Sequence, residues 1–466
     1  MSPSPGRFRW LVIPAIVAIL VGACGSAATS SPGGGAPSSG EPSAITGASC
    51  QSGATEVKFW TSHTPPDSDA LKKIVDAFNQ ANPDICVKMT IVPGNETEIT
   101  KLLTAIRGGV APDIYMADRF TVPQRASEGV LAELPADVAG MSGEYLEFAW
   151  AETQFKGKTY ALPFDTDARA LWYNKDLITA AGEDPAKLDI AKGAPTIADV
   201  TAIADKISKK DASGNYSVMG WMPAGPGPGG NPGAFDQGWH YTWGFVNGGK
   251  FADIAACKVT PTDPGVVAGF QFMYDWQKAH DPKAVSRWVS TNAPPNAPAA
   301  QNPFWTGKLG MTISGDWRIA EQTKYAANGH YGFTFIPVPK AGDKSATWAG
   351  GWSMALIPNS QAADQAVKFM KYIAGTDGQK VYTKESTHLP TLKALLSDAS
   401  LFDPAHKTFL DLLPTAHNRP PLAVGAAYWD ALTSAQGSVE LNTKLPADAL
   451  KEVQDAVQPQ LDAVGC

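Results

Sequence analysis

Gly157-Lys158-Thr159-Tyr160-Ala161-Leu162-Pro163-Phe164-Asp165, continuing through Thr166-Asp167-Ala168-Arg169 to Ala170-Leu171-Trp172-Tyr173-Asn174-Lys175-Asp176-Leu177, is the passage on which the fold turns. Its Leu171 to Tyr173 run reads as a strand. In an extended chain the period of two puts Asp165 and Asp167 on the same side, so two carboxylates share one face.

Upstream, Glu56 to Trp60 reads as a short buried strand, and Pro65, Pro66 and Asp67 break the chain before a helical pattern. Leu71, Ile74, Val75 and Phe78 fall at i, i+3, i+4 and i+7, one face of a helix that Pro83 stops. Val87, Met89 and Ile91 alternate as a second strand. Ile99, Leu102, Leu103 and Ile106 repeat the helical spacing, Gly108 and Gly109 end it, and Asp113 to Met116 form a third apolar run. The order β-α-β-α-β predicts a parallel sheet wrapped by helices. Downstream, strand-like runs at Gly310 to Ile313, Tyr331 to Ile336 and Met354 to Ile357 continue the alternation. Ala366, Phe369, Met370 and Ile373 share a helix face with Gly375 as the expected C-cap, and Pro223 to Gly233 is a Pro/Gly-rich loop. In open α/β sheets ligands bind outside the carboxyl ends of the strands, so the site is sought in the loops that follow them.

The N-terminus carries Arg7 and Arg9, then an apolar run from Trp10 to Ala23. That run is shorter than the roughly 20 residues a membrane-crossing helix needs, so residues 1–23 read as a secretory signal. It ends in Val21-Gly22-Ala23-Cys24, which resembles the lipobox of bacterial lipoproteins, with Cys24 as the lipidated residue. Gly25 to Ser49 is almost entirely Gly, Ser, Ala, Pro and Thr, unable to bury enough apolar surface to fold. Residues 24–53 are therefore expected to be a lipidated flexible tether, with a reach of roughly 25 to 30 Å. The chain's net charge is -7, and losing Arg7 and Arg9 with the signal makes it more negative by two, against a nucleic-acid surface. With Cys24 set aside, Cys50, Cys86, Cys257 and Cys466 make an even number in an oxidising compartment; four cysteines allow three pairings, and none has CxxC spacing.

Several segments together resemble the extracellular solute-binding proteins of sugar ABC transporters, the group that includes maltodextrin-binding protein. They are Val57 to Thr61, Phe78 to Pro83, Ala111-Pro112-Asp113-Ile114-Tyr115, and the passage from Gly157 to Leu177, where that family's chain crosses from its first lobe to its second. Gly307 to Met311 with Gly315-Asp316-Trp317, Tyr331 to Pro337, Gly350-Gly351-Trp352, Leu389-Pro390-Thr391 and Arg419-Pro420 follow in the family's order. The resemblance implies an α/β, two-lobed periplasmic-binding-protein-like fold, each lobe a sheet flanked by helices and discontinuous in sequence. The first lobe is expected at 54–166 and 337–384, the second at 167–336 and 385–466. Ligand then lies in the cleft, with closure about the crossing hinge strands. In that topology the disulfides are Cys50 to Cys86 and Cys257 to Cys466, each within one lobe. The implied partners are a carbohydrate and the transmembrane subunits of an ABC permease, with the monomeric protein lipid-anchored on the outer face of the membrane.

A sugar's C-H face stacks on an aromatic ring while polar side chains at the rim bond its hydroxyls, and the chain has 14 tryptophans. Trp60 with His63, Asp316 with Trp317, and Gly351 with Trp352 each follow an expected strand. Asp165 and Asp167 suit vicinal hydroxyls, or else form a solvated turn or an ion pair with Arg169. Asp118 and Arg119 follow the third strand with the same ambiguity. Trp239 and Trp243, i and i+4 on a helix, make one stacking wall or belong to the second lobe's core. Arg419 and Tyr428-Trp429 come from the C-terminal part, where the family often closes its site.

Enzymatic signatures are missing. The sequence has no HExxH or other close histidine pair for a metal and no P-loop. Gly351-Trp352-Ser353-Met354-Ala355 fails the GxSxG pattern, and the Gly225 to Gly230 string, which satisfies GxGxxG, holds prolines and lacks a flanking strand and helix. No cofactor is expected. A glycoside hydrolase needs two carboxylates flanking the scissile bond, a part open to Asp165 with Asp316. A glycerophosphodiester is the second ligand class, for which Arg119, Arg169 or Arg419 would have to face the cleft. Cys24→Ala is expected to release the protein from the membrane fraction; equal retention of variant and wild type would mean an uncleaved apolar anchor.

Overall fold

The computed structural model describes residues 43–44, 50–94, 97, 99–224, 238–294 and 297–466. Cys24, the signal, most of the tether and the Gly225 to Gly230 string lie outside the described residues. Within them the chain builds two large sheets, each covered by helices, and several two-stranded ones. The first runs in the order Ser43–Ala44, Ile85–Ile91, Thr55–Thr61, Ile114–Asp118, Trp352–Leu356, Ala161–Pro163. The second runs Lys209–Lys210, Tyr216–Trp221, Leu309–Gly315, Arg169–Asn174, Tyr331–Thr334.

The expected β-α-β-α-β start is present: Thr55–Thr61 pairs in parallel with both Ile85–Ile91 and Ile114–Asp118. The sheet is nevertheless mixed. Trp352–Leu356, arriving from the far end of the sequence, inserts antiparallel between Ile114–Asp118 and Ala161–Pro163. Only long-range pairing decides that direction, and local periodicity is blind to it. Gly375 does not cap the helix Ala363–Ile373. Ala374 does, and Gly375 is the N-cap of the next helix, Thr376–Ser386, at a place where a side chain would collide with the Lys371 carbonyl.

The first lobe's core packs Val57, Phe59, Ile74, Phe78, Met354, Phe369 and Met370 between sheet and helices. Burying each such side chain stabilises by about 1.5–3 kcal/mol relative to leaving it exposed. Leu392, Leu395 and Leu401, from a stretch assigned by resemblance to the second lobe, also pack in this core. The second lobe gathers Trp221, Trp243, Phe270, Met273 and Met311 with Leu450, Val453, Val457 and Leu461 of the C-terminal helix Pro446–Val464. No described helix is long and apolar enough to cross a membrane.

Three segments link the lobes. The first joins Ala161–Pro163 to Arg169–Asn174 and contains the short strand Asp165–Thr166. The second joins Tyr331–Thr334 to Trp352–Leu356 and contains Trp348–Ala349; the third contains Leu389–Pro390, which pairs with Asp165–Thr166. Trp348–Ala349 pairs in parallel with His417–Asn418.

Cys50 is joined to Cys86 and Cys257 to Cys466, with Cα–Cα distances of 5.6 and 5.8 Å. Ser43–Ala44, inside the expected tether, pairs antiparallel with Thr90 and Ile91 and so belongs to the first sheet. The Cys257 turn is also held by the Gln458 amide, which donates to the Cys257 carbonyl at 3.1 Å and accepts from the Val259 N–H at 2.9 Å. Peptide mapping without reductant is expected to recover both pairs; a Cys50–Cys257 or Cys50–Cys466 peptide would refute the topology. Cys257→Ser with Cys466→Ser should lower the unfolding free energy by about 2–4 kcal/mol, read from denaturant titration.

Candidate functional site

Each strand that ends at the crossing segments delivers a polar or aromatic side chain there. Ile114–Asp118 ends in Asp118 and is followed by Arg119; Thr55–Thr61 leads to His63; Leu309–Gly315 leads to Asp316 and Trp317. The structure brings most of the sequence-predicted residues together at this place, in two neighbouring groups.

The first group is a buried ionic network. Arg119 donates from Nε to Glu152 Oε2 at 2.9 Å and from its terminal nitrogens to the carbonyls of Asp165 and Gly350. Arg419 meets Asp118 with both terminal nitrogens, Nη1 to Oδ2 at 3.0 Å, and its guanidinium lies 4.0 Å from the Phe120 ring centroid. Arg169 pairs with Asp167, donates to the Trp348 carbonyl at 3.1 Å and lies 3.3 Å over the Trp348 ring. Asp167 also accepts from the Gly350 N–H at 2.9 Å. Gly351 has φ of 128°, and a side chain there would strike the Arg119 guanidinium and the Asp165 carbonyl, so only glycine fits. Trp429 closes this group, 5.1 Å from Phe120.

The second group is half open to solvent. Trp317 and Trp352 are half-buried. The Trp352 ring is 4.5 Å from His63, edge on, and Trp317 stacks at 6.0 Å with His388. The Trp352 N–H donates to Asp165 Oδ1 at 2.5 Å, while Asp165 Oδ2 is buried without a hydrogen bond, 3.8 Å from His388 Nε2. Burial pushes the Asp165 carboxyl up to about 7, against the opposing pull of the Trp352 N–H and Arg119. Burial, with the neighbouring His388, lowers His63 to about 3, and burial lowers His388 to about 4, so both imidazoles are neutral at pH 7.

Other predicted residues sit elsewhere. Asp316 is buried with both oxygens engaged, Oδ1 by the Ala168 N–H at 2.9 Å and Oδ2 by the Leu389 N–H at 3.1 Å. It ties two crossing segments to the second lobe, and burial followed by Asp167 raises its pKa well above the ordinary value. Trp243 packs on Phe272 and Trp221 in the second lobe's core, and Trp239 is 2% exposed in the same cluster. Trp60 packs against the Leu102, Ala117, Val122 and Ile357 cluster of the first lobe. Sequence reasoning did not find Phe120, Glu152, Trp348, His388 or Asp67 as site residues. Phe120, next to Arg119, and His388, beside Leu389-Pro390, adjoined residues already singled out. Among the described residues no group of three or more His, Cys, Asp or Glu is placed to hold a metal ion.

Comparison with known proteins follows the same lines. Residues 62–380 match the profile of the bacterial extracellular solute-binding proteins. A binding protein of Brucella abortus is 25% identical over 401 residues, covering 85% of this chain and 90% of its own. The maltooligosaccharide ABC transporter solute-binding lipoprotein of Streptococcus pneumoniae is 24% identical over 355 residues, 73% of each chain. Among solved structures, the GacH receptor of Streptomyces glaucescens, known unliganded and with acarbose, aligns with a TM-score of 0.71 at 24% identity, covering 88% of this chain and 99% of its own. UgpB of Mycobacterium tuberculosis with glycerophosphocholine aligns at 0.68 and 21% identity, covering 88% and 99%. These likenesses establish the two-lobed fold.

A buried carboxyl raised to about 7 in the folded state holds its proton more tightly than the unfolded chain, whose value is near 3.8. Its contribution to stability is therefore complete below pH 3.8 and is lost as pH rises to about 7. His63 and His388 act in the opposite sense, losing stability as pH falls below 6.5. The Asp165 part is isolated by comparing Asp165→Asn with wild type. The melting temperature of the variant relative to wild type should climb from pH 4 to pH 7 and then level off; a constant difference would mean that Asp165 ionises normally.

Proposed function

Because the chain belongs to the bacterial extracellular solute-binding proteins, we propose that its mature form captures a di- or oligosaccharide between its lobes and delivers it to the transmembrane subunits of an ABC importer. In this reading Cys24 carries lipid, the protein is held at the outer face of the membrane, and it works as a monomer. The observation that carries the ligand class is the pairing of two half-buried indoles, Trp317 and Trp352, with the unpartnered Asp165 Oδ2 at the junction of the lobes. Aromatic faces suit sugar C-H surfaces, and a carboxylate accepts from hydroxyls. Relatives that carry maltooligosaccharide or bind acarbose support it.

A glycerophosphodiester is less well served, even though a structural neighbour holds glycerophosphocholine. Arg119, Arg169 and Arg419 are each engaged by a carboxylate and buried, so a phosphate entering the cleft would have to displace an ion pair already formed. A hydrolase reading is less well served by Asp316, which is buried with each oxygen accepting from a backbone N–H that ties the crossing segments together.

Thermal-shift and calorimetric titration of the mature protein test the reading. Oligosaccharides are expected to raise the melting temperature, glycerophosphodiesters to leave it unchanged, and no new reducing ends to form. Trp317→Ala and Trp352→Ala should each weaken binding by about 2 kcal/mol with little loss of stability. Unchanged affinity together with a stability loss of about 3–5 kcal/mol would make them core residues and move the site elsewhere.

A further inference from the structure

We propose that the end of the cleft framed by Asp67, His63, Asp165, His388, Trp317 and Trp352 receives a protonated amine, so that the ligand is an amino sugar rather than a neutral one. This rests on the carbohydrate reading above and narrows it to a substrate class.

Ser386 Oγ donates its only proton to the Tyr382 carbonyl at 2.7 Å. It can then only accept from His388 Nδ1, which lies 3.1 Å away. His388 is neutral, so with the proton on Nδ1 its Nε2 carries a lone pair. That lone pair faces Asp165 Oδ2 at 3.8 Å, and Oδ2 has no hydrogen bond although Asp165 is 1% exposed. When Asp165 is ionised the two are both acceptors, and a nitrogen that donates to each satisfies both. On the other side of the same imidazole, Asp67 Oδ1 is 3.9 Å from Nδ1, and no described residue donates a hydrogen bond to the Asp67 carboxyl. His63 Nδ1, in a ring 8% exposed, is likewise buried without a partner.

The surrounding charges do not neutralise this pair of carboxyls. From the second lobe, Arg318 is paired with Glu321, Lys324 lies 3.5 Å from Asp69, and Asp316 is held by backbone N–H groups. From the crossing segments, Arg169 is paired with Asp167. From the first lobe, Arg119 is paired with Glu152 and Asp118 with Arg419; Tyr382 lies behind His388 at 5.2 Å. Burial, then Glu321 and Asp165, push the Asp67 carboxyl well above its usual range. Once both carboxyls ionise, Asp165 Oδ2, the Asp67 carboxylate and His388 Nε2 are acceptors, and beside them the Tyr382 hydroxyl is also buried without a partner. A hydroxyl brings one donor and two lone pairs, whereas an ammonium brings three donors, no lone pair and the compensating charge. Trp352 adds an aromatic ring that attracts a cation, while the Trp317 ring already has the Arg169 guanidinium 5.1 Å from its centroid.

The test uses the mature protein and disaccharides matched in linkage, α-1,4 and β-1,4: the glucosamine form, its N-acetylated form and the glucose form, titrated by calorimetry at pH 7. The glucosamine form is expected to bind about tenfold or more tightly than the other two, since a paired charge in a desolvated site is the strong kind of hydrogen bond. Binding should release protons, seen as a heat that varies with the buffer's ionisation enthalpy, because an ammonium favours ionised Asp165. Asp165→Asn keeps the acceptor for the Trp352 N–H, and Asp67→Asn changes a side chain that is 24% exposed. Both should abolish the preference for the amine, read within each variant as the ratio of its affinities for the glucosamine and glucose forms. Equal or tighter binding of the glucose or N-acetylated form, or a preference that survives in both variants, overturns the amine proposal and leaves the carbohydrate reading standing. Binding of no disaccharide of any form overturns the carbohydrate reading, and this proposal with it.

Discussion

Three guanidiniums buried where the chain passes between the lobes are the constraint that the remaining structure obeys. Arg119 is 0% exposed, Arg419 2% and Arg169 6%, and an uncompensated charge at such depth would cost several kcal/mol. Each is met by a carboxylate: Glu152 for Arg119 and Asp118 for Arg419, both from other parts of the sequence, and the nearby Asp167 for Arg169 from within the first crossing. Further bonds to the Asp165, Gly350 and Trp348 carbonyls fix the path of two crossing segments relative to the third strand of the first sheet. The glycine at 351 and the half-strands at Asp165–Thr166 and Trp348–Ala349 follow from that demand for close approach.

With those charges consumed, the chemistry left over at the junction is of one kind. Asp316 anchors backbone, the arginines hold the hinge, and the groups still free to meet a ligand are two indoles, two neutral imidazoles and two carboxyls held above their ordinary range. One network supplies geometry and its neighbour supplies recognition. They share Asp165, whose carbonyl and Oδ1 serve the scaffold while Oδ2 is buried without a hydrogen bond, 3.8 Å from His388 Nε2. A change at this residue therefore acts on both.

Much of this was legible in the chain. The alternation at Val87, Met89 and Ile91 and the helix face Leu71, Ile74, Val75, Phe78 are local patterns, and local patterns determined those elements. The period of two predicted Asp165 and Asp167 on one side, and the structure gives them different duties: Asp165 accepts from the Trp352 N–H, and Asp167 pairs with Arg169. The antiparallel entry of Trp352–Leu356 depends on a partner more than two hundred residues upstream. Glu152 and Trp348 carried no motif at all; each matters only through the arginine it meets. Trp243 had the spacing of a stacking wall, but the helix it sits on is buried on every side, and periodicity does not distinguish a core aromatic from a site aromatic there.

The entry of the chain into the first sheet has a mechanical consequence. Ser43–Ala44 lies antiparallel on the edge strand at Thr90 and Ile91, and Cys50 is covalently tied to Cys86 near that strand's other end. A protein tethered at Cys24, as proposed, takes any tug from the membrane at this edge. Such a load first peels the two-residue strand, one ladder rung at a time and at little force, and then meets the disulfide. From there tension divides between Ile85–Ile91 and Thr55–Thr61, neighbouring parallel strands that resist sliding together. The cross-link works as a strain relief, like the clamp on a cable, and shields the seams where the lobes hinge.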